Sequence, residues 1–339
     1  MDDTISLNQK ISLELGLNHW QVDNVIQLLE GDATIPFISR YRKERTGSLD
    51  EVMLTQIRDR QEQLLELEKR RAFILKTIEE QGNLTPELKK SIFGAEALSV
   101  LEDLYLPYKP KRRTRATAAR EKGLEPLASQ IFEQKTIDVE KIAGTFVDPE
   151  KQVSDVDEAL QGARDIMAEW VSENAGVREM LRKIFYNEGI LTSKMIRGKE
   201  SEGIKYKDYF EFSEPVKKIP SHRMLAIRRG EKEMFLSVDI QPDESMVHQR
   251  MEKMLITARN SSADQVRLAM YDAYKRLLKP SMENETRVET KKSADAEAIT
   301  VFAENLRQLL LAPPMGQKRV LALDPGFRTG CKVVCLDEQ

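Results

Sequence analysis

The sequence predicts a mainly α protein that carries one small α/β insert and closes on a β-hairpin. Three observations predict it. Aromatic residues make up only 6% of the chain and charged residues 32%, and the abundant Leu, Glu, Lys, Arg and Ala are good helix formers. Apolar residues recur at three- and four-residue spacing through most of the length. Strand-like apolar runs are confined to ILTSKMI, MFLSVDI and the last 20 or so residues.

Taken in order, ISLNQKISLELGL (5–17) reads as one amphipathic helix ending near Gly16. A second runs from Asn18, a good N-cap, to Glu30, with Val22, Val25, Ile26 and Leu29 on one face. Gly31 and Asp32 stop it. A short basic helix follows in TIPFISRYRKERTG. Ser48 with Glu51 three residues on forms a capping box. It opens a long helix to about Gln81, roughly 50 Å at the usual rise per residue. The ends of that helix are apolar (Leu54 and Ile57, then Phe73, Leu75 and Ile78) and its middle, RDRQEQLLELEKRR, is charged. Such a helix bridges separate packed clusters. Coiled coil is the second reading, although Gln61 and Glu68 interrupt its seam.

Further helices fit 85–93, 95–105, 115–122, 124–134, 138–146 and 155–188. From Gly189 the pattern changes to a small α/β insert, 189–242, with ILTSKMI and MFLSVDI as its strands. Helices resume at 243–258, 262–279 and 294–311. Ala312-Pro313-Pro314-Met315-Gly316 is the cleanest linker. The expected organisation is a helical region 1–188, a central region 189–312 and a hairpin 317–339. The hairpin joins Val320–Leu323 to Cys331–Leu336 through a tight turn on Asp324, Pro325 and Gly326. Two paired strands alone are marginal in water, so the expectation is a truncated sheet and a chain that is a piece of a longer protein.

Composition excludes several function classes. With 53 Lys+Arg against 56 Asp+Glu the net charge is −3, so distribution rather than total charge decides any nucleic-acid argument. No run approaches the roughly 18 apolar residues of a membrane span, and MDDTISLNQK is too polar for a secretory signal. The expected compartment is the cytoplasm, with no membrane partner. Cys331 and Cys335 share one strand face and are expected to be a buried, inert pair. His19, His222 and His248 are scattered, with no Cys near them, which argues against zinc. No P-loop, GxSxG or HExxH is present. Glu200, Glu202 and Asp208 read as solvated loop carboxylates. No metal, cofactor or catalytic residue is assigned, and the chain is not expected to be an enzyme.

Three basic clusters stand out. RYRKER (40–45) carries Arg40, Arg42, Lys43 and Arg45. KPKRRTR (109–115) carries Lys109, Lys111, Arg112, Arg113 and Arg115 with no acid. IPSHRMLAIRRGEKE (219–233) adds Arg223, Arg228 and Arg229. Such density suits phosphates, because guanidinium forks match phosphate oxygens. The competing reading is an internally paired face, with Glu44, Glu102, Asp103, Glu121, Glu231 and Glu233 close in sequence to absorb the charge. Pro107 and Pro110 keep KPKRRTR out of a regular helix, so its cations are expected on a loop.

Four blocks, ATIPFISRYRKERTGSLDE, LEDLYLPYKPKRRTRATAAREKGLEPLA, KYKDYFEFSEPVKKIPSHRMLAIRRGEKE and VLALDPGFRTG, resemble successive blocks of the Tex family of bacterial transcription accessory proteins. These are similar to eukaryotic transcription elongation factors that also act on histones. The resemblance covers essentially the whole chain, in order. It implies a helical N-terminal region, a central region and the first hairpin of a truncated YqgF-type, RNase-H-like domain. Relatives would continue through helix-hairpin-helix modules to an OB-fold that binds nucleic acid. Asp324 then matches the first-strand acid of RNase-H-like nucleases. Two-metal hydrolysis needs several converging carboxylates, and only Asp337 and Glu338 follow it here, so Asp324 is expected to be vestigial. The same strand–turn–strand pattern also opens actin-like ATPase domains, but the preceding 300 or so residues match nothing of that kind.

The resulting expectation is a non-enzymatic scaffold of a transcription accessory protein that binds DNA or RNA backbone weakly. The contacts would be Lys109, Lys111, Arg112, Arg113, Arg115, Arg40, Arg42, Lys43, Arg223, Arg228 and Arg229. The alternatives are a protein-interaction scaffold docking RNA polymerase or another transcription factor through the long helix, and a remnant of an RNase-H-like nuclease.

Overall fold

The computed structural model describes residues 6–326 and 330–338. It is mainly α, as the composition predicts. Its two compact units do not follow chain order: one holds residues 1–183 and 245–280, the other 184–244 and 281–339.

The first unit begins with helices Leu7–Leu15 and His19–Glu30. Gly16 ends the first at φ +65, a left-handed cap that glycine reaches without penalty. Gln21 Oε1 accepts from the Asn18 backbone N–H at 3.1 Å, half of a reciprocal cap at the second. The basic segment forms two helices rather than one, Ile35–Tyr41 and Lys43–Thr46. The long helix is Glu51–Glu80, and its cap is Asp50 rather than Ser48: Asp50 Oδ1 accepts from Met53 N–H at 2.8 Å. Ser48 instead closes the preceding helix. It sits at φ +61 and its N–H donates to Lys43 O at 2.8 Å.

The long helix bridges two clusters. Leu54, Ile57 and Leu64 pack with Ile11, Val22, Val25 and Ile38. Leu67, Ile74 and Ile78 pack with Ile92, Leu101 and Tyr105, which come from helices Pro86–Gly94 and Leu98–Tyr105. Arg71, only 7% exposed, sits in the second cluster: Nε donates to Ile92 O at 3.1 Å and Nη2 to Ala95 O at 2.7 Å. It satisfies carbonyls that a helix end leaves open.

A third cluster joins Leu124, Leu127, Ile131, Ile166, Met167 and Val266. The helix expected over 155–188 is two, Val156–Glu173 and Ala175–Glu188. Asn174 breaks it with ψ 111, and its Oδ1 caps the second by accepting from Val177 N–H at 3.0 Å. Helices Glu244–Leu255 and Ser261–Ala273 follow. A π turn, Tyr274–Leu278, then leads to Lys279–Leu310, so this last helix starts well before the expected residue 294. Pro280 lacks an N–H and would crowd the carbonyl four residues back. The wide turn before it relieves that conflict.

In the second unit β1 (Ile190–Met195) is central, with β2 (Glu211–Pro215) and β3 (Leu236–Gln241) antiparallel on either side. Ile190 pairs with Pro215 on one edge and Gln241 on the other. The β2 strand escapes the sequence reading, which places two strands in this segment. Leu191, Leu236, Val238 and Ile240 face a core with Met224 and Ile227 of helix Ser221–Lys232. The hairpin is β4 (Val320–Pro325) with β5 (Cys331–Leu336), Val320 opposite Leu336. Asp324 and Pro325 belong to the strand rather than the turn, and Gly326 N–H donates to Gly330 O at 2.9 Å. Residues 327–329 of the expected turn lie outside the described residues. Both faces of the hairpin are open, so Cys331 and Cys335 are exposed free thiols, not the buried pair expected.

Candidate nucleic-acid interface

Residues 109–114 of KPKRRTR form a loop between the short turn Leu106–Tyr108 and helix Arg115–Glu121, so Arg115 is on the helix and not on the expected loop. Thr114 sets the exit: its Oγ1 accepts from Thr117 N–H at 3.0 Å, capping that helix. The same hydroxyl donates to Glu169 Oε2 at 3.1 Å. Glu169 is 6% exposed and also accepts from Lys111 Nζ at 3.1 Å and Arg120 Nη1 at 2.6 Å. Lys111 pairs with Glu173 as well. Burial pushes both carboxyls up. At Glu169 the bonds from Arg120 and Lys111 outweigh it and hold the pKa below the usual glutamate range. At Glu173 burial wins and the pKa is raised.

Lys111 is therefore the anchor of the loop, turned inward. Arg113 lies at the surface, 2.8 Å from Glu121. Arg112, between them, is exposed, as is Lys109, and neither side chain has a hydrogen-bond or ion-pair partner among the described residues. Arg115 opens the helix and is exposed. The loop thus holds one cation in and presents its neighbours to solvent. Exposed charges presented this way are free to meet phosphate at little desolvation cost.

The other clusters divide differently. In the first unit Arg40 and Lys43 are exposed, and their side chains have no such partner among the described residues. Arg42 lies over the Phe37 ring at 4.9 Å from its centroid. In the second unit Arg223 is 3.1 Å from Glu214. Arg228 pairs with Glu231, which also receives Arg287. Arg229 is exposed. Much of the third cluster thus braces helix Ser221–Lys232. Of the acids close in sequence, Glu102 goes to Arg70 and Asp103 to Arg178 and Arg182, not to KPKRRTR. Glu121 does take Arg113, as the paired-face reading expects, while the acids that hold Lys111, Glu169 and Glu173, lie 58 or more residues on and carry no sequence signal. Asp324 is exposed on β4 opposite Lys332, and no group of three potential metal ligands occurs among the described residues. No helix among them is long and apolar enough to cross a membrane.

Two family models match the chain: the Tex-like protein N-terminal domain over residues 5–79 and the Tex central region-like model over 134–302. The transcriptional accessory protein Tex of Neisseria gonorrhoeae is 42% identical over 344 residues, covering 98% of this chain and 45% of that protein. Protein tex of Bordetella pertussis is 42% identical over 342 residues, 97% of this chain and 43% of its own length. The human S1 RNA-binding domain-containing protein 1 is 26% identical over 343 residues, 97% of this chain and 34% of its own. The chain spans less than half the length of each of these relatives. Its ordered match to both regional models and its 42% identity over 98% of its length place it in the Tex family.

Proposed function

We propose that this chain is a non-enzymatic scaffold that contacts nucleic-acid backbone, with the 109–114 loop as its principal phosphate-binding element. The observation that carries the reading is the division of labour in that loop. Lys111 is held by Glu169 and Glu173, while Arg112 and Lys109 stand free at the surface beside the loosely paired Arg113. A loop anchored at its centre keeps its outward cations in place, which lowers the entropy lost on binding. The names of the relatives, transcriptional accessory on one side and RNA-binding on the other, support the same class of ligand. Contacts made through guanidinium and ammonium groups to phosphate carry no base information. Binding is accordingly weak and indifferent to sequence, and Asp324 cleaves nothing.

Fluorescence anisotropy with labelled duplexes of unrelated sequence tests this. The expected dissociation constants lie near 10⁻⁴–10⁻⁶ M, about the range of non-specific binding at physiological salt, and agree between sequences. Nanomolar binding to one sequence would sink the reading. So would cleavage with Mg²⁺ or Mn²⁺ that disappears in Asp324→Asn.

A further inference from the structure

The RYRKER cluster differs from the loop in one respect: aromatic rings lie among its cations. Phe37 and Tyr41 stand four residues apart on helix Ile35–Tyr41. Their ring centroids are 5.4 Å apart at a 44° tilt. The Arg42 guanidinium covers the Phe37 ring. Tyr41 is nevertheless 62% exposed and Phe37 38%. Among the described residues Arg42 and Arg45 bond no carboxylate: Arg42 Nη1 donates to Tyr41 O at 2.9 Å and Arg45 Nη2 to Gln27 Oε1 at 2.8 Å. With Arg40 and Lys43 they make four cations against the single acid Glu44 across residues 40–45.

The corner is also rigidly backed. Gln21 Nε2 donates to Thr46 O at 3.1 Å and Asn24 Nδ2 to Arg45 O at 2.8 Å. Gly47 closes the segment at φ +66, where an added Cβ would lie 2.9 Å from Trp20 Cη2 and 2.6 Å from Gln21 Nε2. A solvent-facing ring on a braced, cation-rich turn is the arrangement used to stack unpaired bases while tracking the phosphates beside them.

We propose that this corner is a binding site for single-stranded nucleic acid. Tyr41 stacks one base on its open face. Phe37 and Arg42 hold that ring at its tilt, and Arg40 and Lys43 take the flanking phosphates. The proposal rests on the nucleic-acid reading above but uses different residues. A base inside a duplex is already stacked on both sides and offers Tyr41 no face, whereas every unpaired base does. The site therefore reads strandedness, not sequence.

The test measures anisotropy of a short labelled oligodeoxythymidine and of a blunt duplex of equal length, on the whole chain and its Tyr41 variants. Circular dichroism melting confirms that each variant is folded. Tyr41→Ala is expected to weaken single-strand binding about tenfold and duplex binding less than about twofold. Tyr41→Phe retains single-strand affinity, since the ring persists. Tyr41→Leu behaves like Tyr41→Ala, since apolar area without a π face does not stack. Full single-strand affinity in Tyr41→Leu, as a protein-docking surface would give, overturns the proposal. Equal loss for both probes in Tyr41→Ala, or no loss, overturns it too. If Tyr41→Ala binds as the parent does while Arg112→Glu with Arg113→Glu weakens binding, this site fails and the loop stands. Binding of neither probe by the parent chain overturns both.

Discussion

Lys111 Nζ lies 3.1 Å from Glu169 Oε1, and this contact turns one of the four cations on the 109–114 loop into its anchor. Glu169 gathers Thr114 and Arg120 at the same point. Removing the carboxylate leaves Lys111 with Glu173 and Arg120 with Glu125, and takes the buried acceptor from all three donors. Glu169→Ala should therefore destabilise the chain by about 1–3 kcal/mol, the scale for buried polar groups that lose a hydrogen-bond partner. Urea unfolding of the variant against the parent measures it.

Asp103 supplies the equivalent junction elsewhere in the first unit. It is 5% exposed and receives Arg178 Nε at 2.6 Å and Arg182 Nη2 at 2.8 Å, one on each oxygen. Asp103→Asn keeps the shape and removes the charge. A loss of about 3 kcal/mol is expected, read as a fall in urea midpoint with an unchanged slope. Nucleic-acid affinity of the folded variant should not move.

One carboxylate should report acid sensitivity. Hydrogen bonds from Lys122 first, then from Ser154, lower Glu158 from the ordinary glutamate value of 4.5 to about 2. A lowered folded-state pKa stabilises above the unfolded value and loses that contribution as pH falls through the folded one. The Lys122–Glu158 contact should thus weaken between about pH 4.5 and about pH 2. Carbon-detected NMR titration of Glu158 should show the low midpoint, and Lys122→Met should move it toward the ordinary range.

Gly47 is demanded by its place. At φ +66 a Cβ would strain the backbone and press on Trp20 and Gln21. Gly47→Ala should cost about 1–3 kcal/mol and shift Trp20 emission. An unchanged melting temperature and spectrum would show that the close approach is absent in solution.

Much of this was legible in the sequence, and the failures have physical causes. The helix end at Gly16 and the bridging role of Glu51–Glu80 follow from one left-handed glycine and one charged middle between apolar ends. The stretch 280–293 hid because its inward positions, Met282, Thr286, Thr290 and Ala294, are half threonine. Thr286 Oγ1 donates to Met282 O at 2.8 Å and Thr290 Oγ1 to Thr286 O at 2.7 Å, so these hydroxyls are buried without an apolar stripe to advertise the helix. The strand Glu211–Pro215 hid because it is a short edge strand of polar alternation ending in proline. The basic clusters are visible as runs of letters. Which cations turn inward is not, because Glu169, Glu173 and Arg287 are distant in sequence. The exposed pair Phe37 and Tyr41 carried a faint signal, its four-residue spacing inside a basic run.

The salt dependence of duplex binding by the parent chain and by Arg112→Glu with Arg113→Glu tests the central claim most directly. Each neutralised phosphate contributes about −0.9 to the log–log slope. Loss of two contacts should flatten the slope by about 1.8, while melting is unchanged because exposed charges contribute little to folding. An identical slope in a folded double variant, or an unfolded variant whose remaining folded fraction binds as the parent does, would contradict the account.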